Sequence, residues 1–142
     1  MIDIDPFQPA DLGTLTVRAE QVPELLSADA EAVAAAGELG PAFTVRQDGR
    51  TVACAGLIVR HAGYASGWAL FAEGIGIAGW AALLGAMRRV LDACSYRRVD
   101  ISVRTEFAAA HRFAERLGFE AEAVQRCIGA DGSDFTIYSR IR

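Results

Sequence analysis

Residues 68–91, WALFAEGIGIAGWAALLGAMRRVL, contain the change of periodicity that decides the fold class. The first four residues form a short apolar run, which is typical of a buried strand. Gly74 and Gly76 then interrupt the chain. After them the apolar residues recur at intervals of three and four, as on the buried face of an α-helix; they are Trp80, Leu83, Leu84, Met87, Val90 and Leu91. The stretch therefore predicts a strand, a glycine loop and a helix that begins near Ala78, with Leu84 and Met87 buried.

Downstream of this helix the pattern alternates between strand and helix signals. Residues 99–103 alternate apolar with polar, which predicts a half-buried strand. A strand that follows a strand and a helix commonly lies parallel to the first strand, so we expect 99–103 beside 68–71. Thr105 is a candidate cap for a further helix that ends at Gly118. Two last strands, 120–127 and 133–140, flank a turn-forming stretch at 129–132.

Upstream, a meander of strands is indicated. Residues 42–46 and 51–60 flank Asp48-Gly49, a dipeptide typical of a tight hairpin. Nearly every residue in the middle of 51–60 is apolar, which predicts a strand covered on both faces. A turn at 63–67 then leads into the strand 68–71. A short strand at 1–5 and helices at 10–17 and 28–36 are predicted before the meander.

These elements predict one α/β (α+β) domain spanning residues 1–142. We expect a mixed, mostly antiparallel sheet of six or seven strands flanked by about four helices. A chain of 142 residues buries a core without disulfides or metal. The three cysteines, Cys54, Cys94 and Cys127, are accordingly interpreted as small core residues.

The composition of the chain argues against several classes of function. The net charge of −4 argues against nucleic-acid binding. No apolar run approaches the roughly 18 residues of a membrane span, and residues 1–7 do not resemble a secretory signal, so a cytoplasmic protein is expected. His61 and His111 are too far apart in sequence to suggest a metal site, and none is expected. His111 is interpreted as an exposed surface residue.

Residues 107–120, FAAAHRFAERLGFE, resemble a motif of the GNAT N-acetyltransferase superfamily, in which a helix ends in Leu-Gly-Phe and runs into a strand. The position of the motif, one helix and one strand after a Gly-x-Gly loop, strengthens the resemblance. It implies a GNAT-like fold over the whole chain. It also implies an acyl-CoA held where two parallel strands splay apart, with the pyrophosphate bound by backbone N–H groups at the start of the following helix.

The resemblance implies cofactor-binding residues in and after the fourth strand: Phe71, Ala72, Gly74, Gly76 and Ala78. The chain departs from the family here, because the position that usually holds Gln or Arg falls on Phe71 or on Glu73, depending on register. Ala114 likewise stands where the family often has a general-acid Tyr, and Phe107 where it usually has Asn. Glu73 is nominated as the general base. Acetyl-CoA is expected to bind weakly or not at all.

A GNAT-like order without these signatures resembles small bacteriophage proteins of the internal virion protein A type, which have a Trp-containing fourth strand and a closing hairpin. That resemblance implies a virion-associated or assembly protein, in the virion or the host cytoplasm. It would act through a protein partner, with no nucleic acid and no membrane, and homo-oligomerisation stays open. The contact surface is expected to include an Arg-rich rim made of Arg88, Arg89, Arg97 and Arg98.

Two other functions remain open from the sequence. One is a divergent acyl-CoA-dependent N-acetyltransferase acting on a small amine or a peptide amine. The other is a regulatory module that binds CoA without turnover.

Overall fold

The computed structural model describes residues 1–23 and 35–142. Within these residues, seven strands make up a single sheet: β1 Ile2–Pro6, β2 Ala42–Gln47, β3 Arg50–His61, β4 Tyr64–Phe71, β5 Arg98–Arg104, β6 Glu120–Gln125 and β7 Phe135–Ile141. Their order across the sheet is β1-β2-β3-β4-β5-β7-β6. Neighbours are antiparallel except β4 and β5, which are parallel. The predicted mixed, mostly antiparallel sheet is therefore confirmed.

Two α-helices follow the meander, α1 at Gly76–Ala93 and α2 at Ala108–Arg116. The helix predicted at 10–17 is instead a short 3-10 helix, Pro9–Thr14, followed by another at Ala19–Gln21. A local bond explains the early end of the first, because the Thr14 hydroxyl turns back to the Asp11 carbonyl oxygen at 2.8 Å. The helix predicted at 28–36 falls mostly on residues 24–34, outside the described residues, and residues 35–38 are helical.

The meander follows the sequence closely. Asp48 and Gly49 take the left-handed backbone conformation, with φ of 51° and 82°, as a tight hairpin turn requires. Residues 51–57 of β3 are all buried, so the expectation of a strand covered on both faces is met. The predicted start of β4 was wrong, since the strand begins at Tyr64 rather than at residue 68. Tyr64 and Ser66 are polar, and they fit the sheet because their hydroxyls bond to the Asp100 carboxylate on β5.

The two faces of the sheet have different coverings. Helix α1 packs one face through Leu83, Met87 and Leu91, which are 0, 6 and 7% exposed. Leu84 was also expected to be buried, but it is half-buried because it lines a cavity. On the opposite face the Pro9–Thr14 helix lies over β2, where Asp11 accepts a 2.7 Å hydrogen bond from the Thr44 hydroxyl.

Helix α2 begins differently from the expectation. Thr105 does not cap it; the N-cap position is Phe107, and the Thr105 hydroxyl lies 2.9 Å from that of Thr136 on β7. The β7 hydroxyl competes successfully for the Thr105 side chain. Gly118 ends the helix with φ of 93°, the left-handed C-cap geometry expected of glycine.

The cysteines differ from one another. Cys54 is fully buried in β3, and burial raises the pKa of its thiol to about 11. Cys94 is half-buried and Cys127 is exposed, so interpreting Cys127 as a core residue was wrong. Cys127 lies in the turn after β6, where its N–H bonds to the Asp134 carboxylate at 2.9 Å. Within residues 1–23 and 35–142, no helix has the length and apolar character needed to span a membrane.

Candidate functional site

The parallel strands β4 and β5 pair only at one end. Tyr64, Ala65 and Ser66 are aligned with Arg98, Val99 and Asp100, and beyond these residues the strands separate. The expected parallel pairing is confirmed, although it lies upstream of residues 68–71. A cavity of about 990 Å³ occupies the opening between the strands and reaches the helices on either side.

The edge of β4 that faces this opening is bonded to a side-chain amide. Gln21 donates from Nε2 to the Ala69 carbonyl oxygen at 2.8 Å and accepts the Phe71 N–H on Oε1, also at 2.8 Å. A backbone amide of an added strand would make the same donor and acceptor contacts. This edge of β4 is therefore suited to binding an amide group.

The chain around Gln21 connects the two separated strands. The Arg18 N–H donates to the Phe71 carbonyl oxygen at 2.9 Å, on β4. The Glu20 carbonyl oxygen accepts from Arg104 Nε at 2.8 Å, on β5. Residues 18–21 thus bridge the opening between β4 and β5.

Three aromatic rings meet on the helix-covered side of the opening. Phe71 of β4 lies 5.1 Å from Trp80 of α1 and 5.4 Å from Phe113 of α2, and the last two rings are 5.4 Å apart. All three are half-buried and line the cavity. They close the gap between the two helices with apolar surface.

The glycine loop between β4 and α1 has left-handed backbone at both of its glycines. Gly74 and Gly76 have φ of 70° and 79°, and residues 76–78 at the start of α1 are exposed. Arg50 of β3 lies beside this loop and donates to the carbonyl oxygens of Glu73 and Gly74. A cation therefore lies beside the glycine loop, although the sequence of the loop itself contains none. Sequence reasoning missed it because Arg50 belongs to a different strand.

The remaining predicted site residues are placed as follows. Ala72 is buried, and its N–H is bonded to the Val52 carbonyl oxygen at 2.9 Å, so it is not free for a ligand. Ala78 is exposed in the first turn of α1. Glu73 is exposed, accepts the Ala19 N–H on Oε1 at 3.3 Å, and does not line the cavity. A base role for Glu73 stays a prediction.

A polar cluster that sequence reasoning missed lies where the strands begin to separate. Asp100 of β5 accepts the Tyr64 hydroxyl on Oδ2 at 2.7 Å and the Ser66 hydroxyl on Oδ1 at 2.8 Å. Arg98 lies 3.3 Å from Asp100 Oδ2 and bonds both oxygens of Glu122 at 2.7 and 3.0 Å. The contact with Arg98 lowers the pKa of Glu122 to about 2 and raises that of Arg98. Alternation along β5 was the only sequence signal for Asp100.

His111 was interpreted as an exposed residue, and the structure corrects this. It is half-buried, with Nε2 2.8 Å from the Thr105 carbonyl oxygen and Nδ1 2.6 Å from the Tyr138 hydroxyl. A carbonyl only accepts, so Nε2 donates to the Thr105 oxygen, and the other ring nitrogen, Nδ1, shares a hydrogen bond with the Tyr138 hydroxyl. The pair attaches α2 to β7 and does not line the cavity. Within the described residues, no group of three His, Cys, Asp or Glu side chains is placed to hold a metal.

Comparison with solved structures identifies the fold as that of GNAT N-acetyltransferases. The ribosomal-protein-S18-alanine N-acetyltransferase from Escherichia coli is 23% identical with a TM-score of 0.75, covering 99% of this chain and 94% of that one. Ard1 from Thermoplasma volcanium is 18% identical with a TM-score of 0.79, covering 99% and 97%.

The protein yncA from Salmonella typhimurium, solved with its cofactor acetyl-CoA, is 14% identical with a TM-score of 0.70, covering 99% and 93%. No family model and no curated protein sequence matches the chain. The expected resemblance to GNAT enzymes is thus confirmed at the level of the fold. The comparisons give no support to a phage internal virion protein.

Proposed function

We propose that this protein is an acyl-CoA-dependent N-acyltransferase that acylates an amine. The observation that carries the proposal is the separation of β4 and β5 after Ser66 and Asp100, which opens a cavity of about 990 Å³ in a GNAT fold. A cavity of that volume is within the usual range for a small-molecule site. The GNAT-fold protein yncA is known with acetyl-CoA, which supports the same class of ligand here.

Three features of the described residues fit a CoA thioester. The arm of CoA contains amides, and the β4 edge at Ala69 and Phe71 already bonds an amide, that of Gln21. The pyrophosphate is anionic, and the exposed residues 76–78 form the first turn of α1, at the positive end of the helix dipole. Arg50 adds a cation beside the same loop. Gln21 must leave the β4 edge for an amide of the ligand to take its place.

The bound thioester would supply an activated acyl group. In the balanced reaction the amine nitrogen forms a bond to the acyl carbon and the carbon–sulfur bond breaks. Of the two protons that an ammonium loses, one ends on sulfur as the CoA thiol and one is released to water. The protein would hold the amine close to the point of strand separation and exclude bulk water with the Phe71, Trp80 and Phe113 rings.

Calorimetric titration with acetyl-CoA, followed by detection of released thiol with a panel of amines, tests the proposal. Because Phe71 and Glu73 offer no side-chain donor at the motif position, we expect a dissociation constant of about millimolar, near −4 kcal/mol. Thiol release that requires both amine and acetyl-CoA is the expected result. Binding without release with any amine would favour the CoA-binding regulatory module.

The virion-associated interpretation makes a different prediction, namely a protein partner and no dependence on acyl-CoA. One residue of the Arg-rich rim expected to contact this partner is already paired within the chain, since Arg98 forms ion pairs with Glu122 and Asp100. Co-purification from the native source, followed by mass spectrometry, tests it. Recovery within a particle, together with no acetyl-CoA binding, would favour that interpretation over the enzyme.

A further inference from the structure

On the face of the sheet opposite α1, two charged side chains of the cavity wall lie close to the point where β4 and β5 separate. Ser66 and Asp100 are the last aligned residues of β4 and β5, and their side chains bond on the face of the sheet opposite α1. Arg60 of β3 donates from Nε to the Ser66 hydroxyl oxygen at 3.2 Å. All three residues line the cavity. A carboxylate and a guanidinium are therefore joined through one hydroxyl where the strands separate.

Asp100 has an acceptor position to spare. Its Oδ2 accepts from Tyr64 and Arg98, whereas its Oδ1 accepts from Ser66 alone among the described residues. A carboxylate oxygen offers two lone pairs, so Oδ1 can take one further N–H donor. The Asp100 side chain is only 15% exposed, and a charge-assisted bond is strong in such surroundings. The closer contacts of Arg98 are with Glu122, which leaves the Asp100 charge incompletely compensated.

Arg60 likewise retains donors. Its Nε is bonded to Ser66, and neither terminal nitrogen makes a hydrogen bond to the described residues. A guanidinium with free terminal nitrogens is matched in geometry to a carboxylate. The arrangement thus offers an anion and a cation at the same place, which is complementary to a zwitterion.

The wall next to these charges is apolar. Trp68 lines the cavity on the same face, and Phe7 packs against it edge-on with ring centroids 5.3 Å apart. Glu20 is the other acid among the described lining residues. Its side chain is 39% exposed and it is paired with Arg18 at 3.7 Å, so it is a poorer anchor than Asp100.

We propose that the acceptor amine is an amino acid with an apolar side chain, an inference that rests on the proposed acyltransferase function. The α-ammonium group donates to Asp100 Oδ1, the α-carboxylate binds the Arg60 guanidinium, and the side chain lies against Trp68. Asp100 is then also the residue placed to take the proton that the ammonium must lose before its nitrogen reacts.

Three probes that share a phenylethyl unit test this without acyl-CoA: L-phenylalanine, 2-phenylethylamine, which lacks the carboxylate, and 3-phenylpropanoate, which lacks the amine. Each is titrated into the full chain by calorimetry. We expect phenylalanine to bind at least about tenfold more tightly than either analogue, since two charge-assisted contacts are available only to it. Equal binding of phenylalanine and 2-phenylethylamine, or no preference among the three, would overturn the proposal even if no variant folded.

Two variants then assign the contacts. Asp100→Asn should remove the advantage of phenylalanine over 3-phenylpropanoate, and Arg60→Gln the advantage over 2-phenylethylamine. Glu20→Gln is the matched control for the acid and Arg88→Gln for the cation, and both should keep the preference. If Glu20→Gln lost the preference for phenylalanine as completely as Asp100→Asn, the assignment of Asp100 as the ammonium-binding residue would be contradicted. A clear preference for phenylalanine in a protein that fails to bind acetyl-CoA would support the amino-acid site and reject the acyltransferase function.

Discussion

Met87 and Leu84 are adjacent members of one apolar stripe, yet the structure gives them different surroundings. Met87 is 6% exposed in the core, and Leu84 is half-buried on the cavity wall. We expect Met87→Ala to lower the free energy of unfolding by about 2 to 5 kcal/mol, because the lost contacts leave a cavity. Leu84→Ala should cost less, about 1 to 2 kcal/mol, since its side chain keeps an open side. Urea unfolding measures both, and equal losses would place Leu84 in the core after all.

Glu122 makes a pH-dependent contribution to the stability of the folded protein. Hydrogen bonds from Arg98 and Ser139 lower its pKa from 4.5 to about 2. A carboxyl whose pKa is lowered by folding contributes stability above its unfolded pKa, and loses it as the pH falls through the folded value. We expect the melting temperature to fall as the pH drops from 4.5 towards about 2, and to fall less steeply in Glu122→Gln. Glu106→Gln, an exposed acid with no hydrogen bond to the described residues, is the control, and an identical slope in all three proteins would contradict the role of Glu122.

Among the helices and strands, the sequence predicted those that depend on hydrophobic periodicity and missed features that depend on contacts between residues far apart in the chain. The stripe from Trp80 to Leu91 placed α1 correctly because burial of one face repeats along the helix. The start of β4 at Tyr64 was missed, since the hydroxyls that fit it into the sheet bond to Asp100, which is 34 to 36 residues away. Arg50 and Asp100 were missed as site residues for the same reason. Each reaches the site through sheet register, which a single sequence does not display.

The glycine loop and Arg50 together form the element expected to hold the anionic part of acyl-CoA. Replacing Arg50 by Gln removes a cation from the loop without introducing bulk. We expect acetyl-CoA to bind about five- to tenfold more weakly, with a smaller dependence on salt, because an exposed charge contributes only about 1 kcal/mol. Calorimetry at two salt concentrations measures this. Arg126→Gln, in the turn after β6, is the control, and if it weakened binding equally, the effect would be one of net charge.

The segment from Arg18 to Gln21 is the element that bridges the opening between β4 and β5. Gln21→Ala frees the Ala69 carbonyl oxygen and the Phe71 N–H, which now bind the Gln21 amide at 2.8 Å each. Each such bond is worth about 0.5 to 1.5 kcal/mol net, and the two together about 1 to 3 kcal/mol. We therefore expect acetyl-CoA to bind more tightly by about fivefold to about a hundredfold. Gln125→Ala on β6 is the control. Weaker binding of acetyl-CoA by Gln21→Ala would mean that Gln21 contacts the ligand, and that it does not compete with the ligand for the β4 edge.

Across the whole molecule, the sheet has a protected interior and exposed edges. β3 is hydrogen-bonded to β2 and β4, and its residues 51–57 are buried. Among the described strands, β6 is paired with β7 alone, and nearly all of its residues are exposed. Stability is unevenly distributed in such a fold, because buried, doubly paired backbone opens only on global unfolding. The sequence predicted this difference for β3 through its continuous apolar run, but it predicted β6 as a longer strand than the structure shows.

Hydrogen exchange followed by mass spectrometry can test this distribution and the ligand site in one experiment. Without ligand, we expect amides of residues 52–57 to exchange most slowly and those of β6 to exchange early. Saturating acetyl-CoA should slow exchange in the peptide covering residues 69–78, where the β4 edge and the glycine loop lie. It should speed exchange of the Arg18 amide, now bonded to the Phe71 carbonyl oxygen at 2.9 Å, if the bridging segment is displaced. Protection of residues 69–78 with unchanged exchange at residue 18 would show that the ligand binds beside residues 18–21 and does not displace them. Protection confined to β6 and β7 would place the acyl-CoA outside the separated strands.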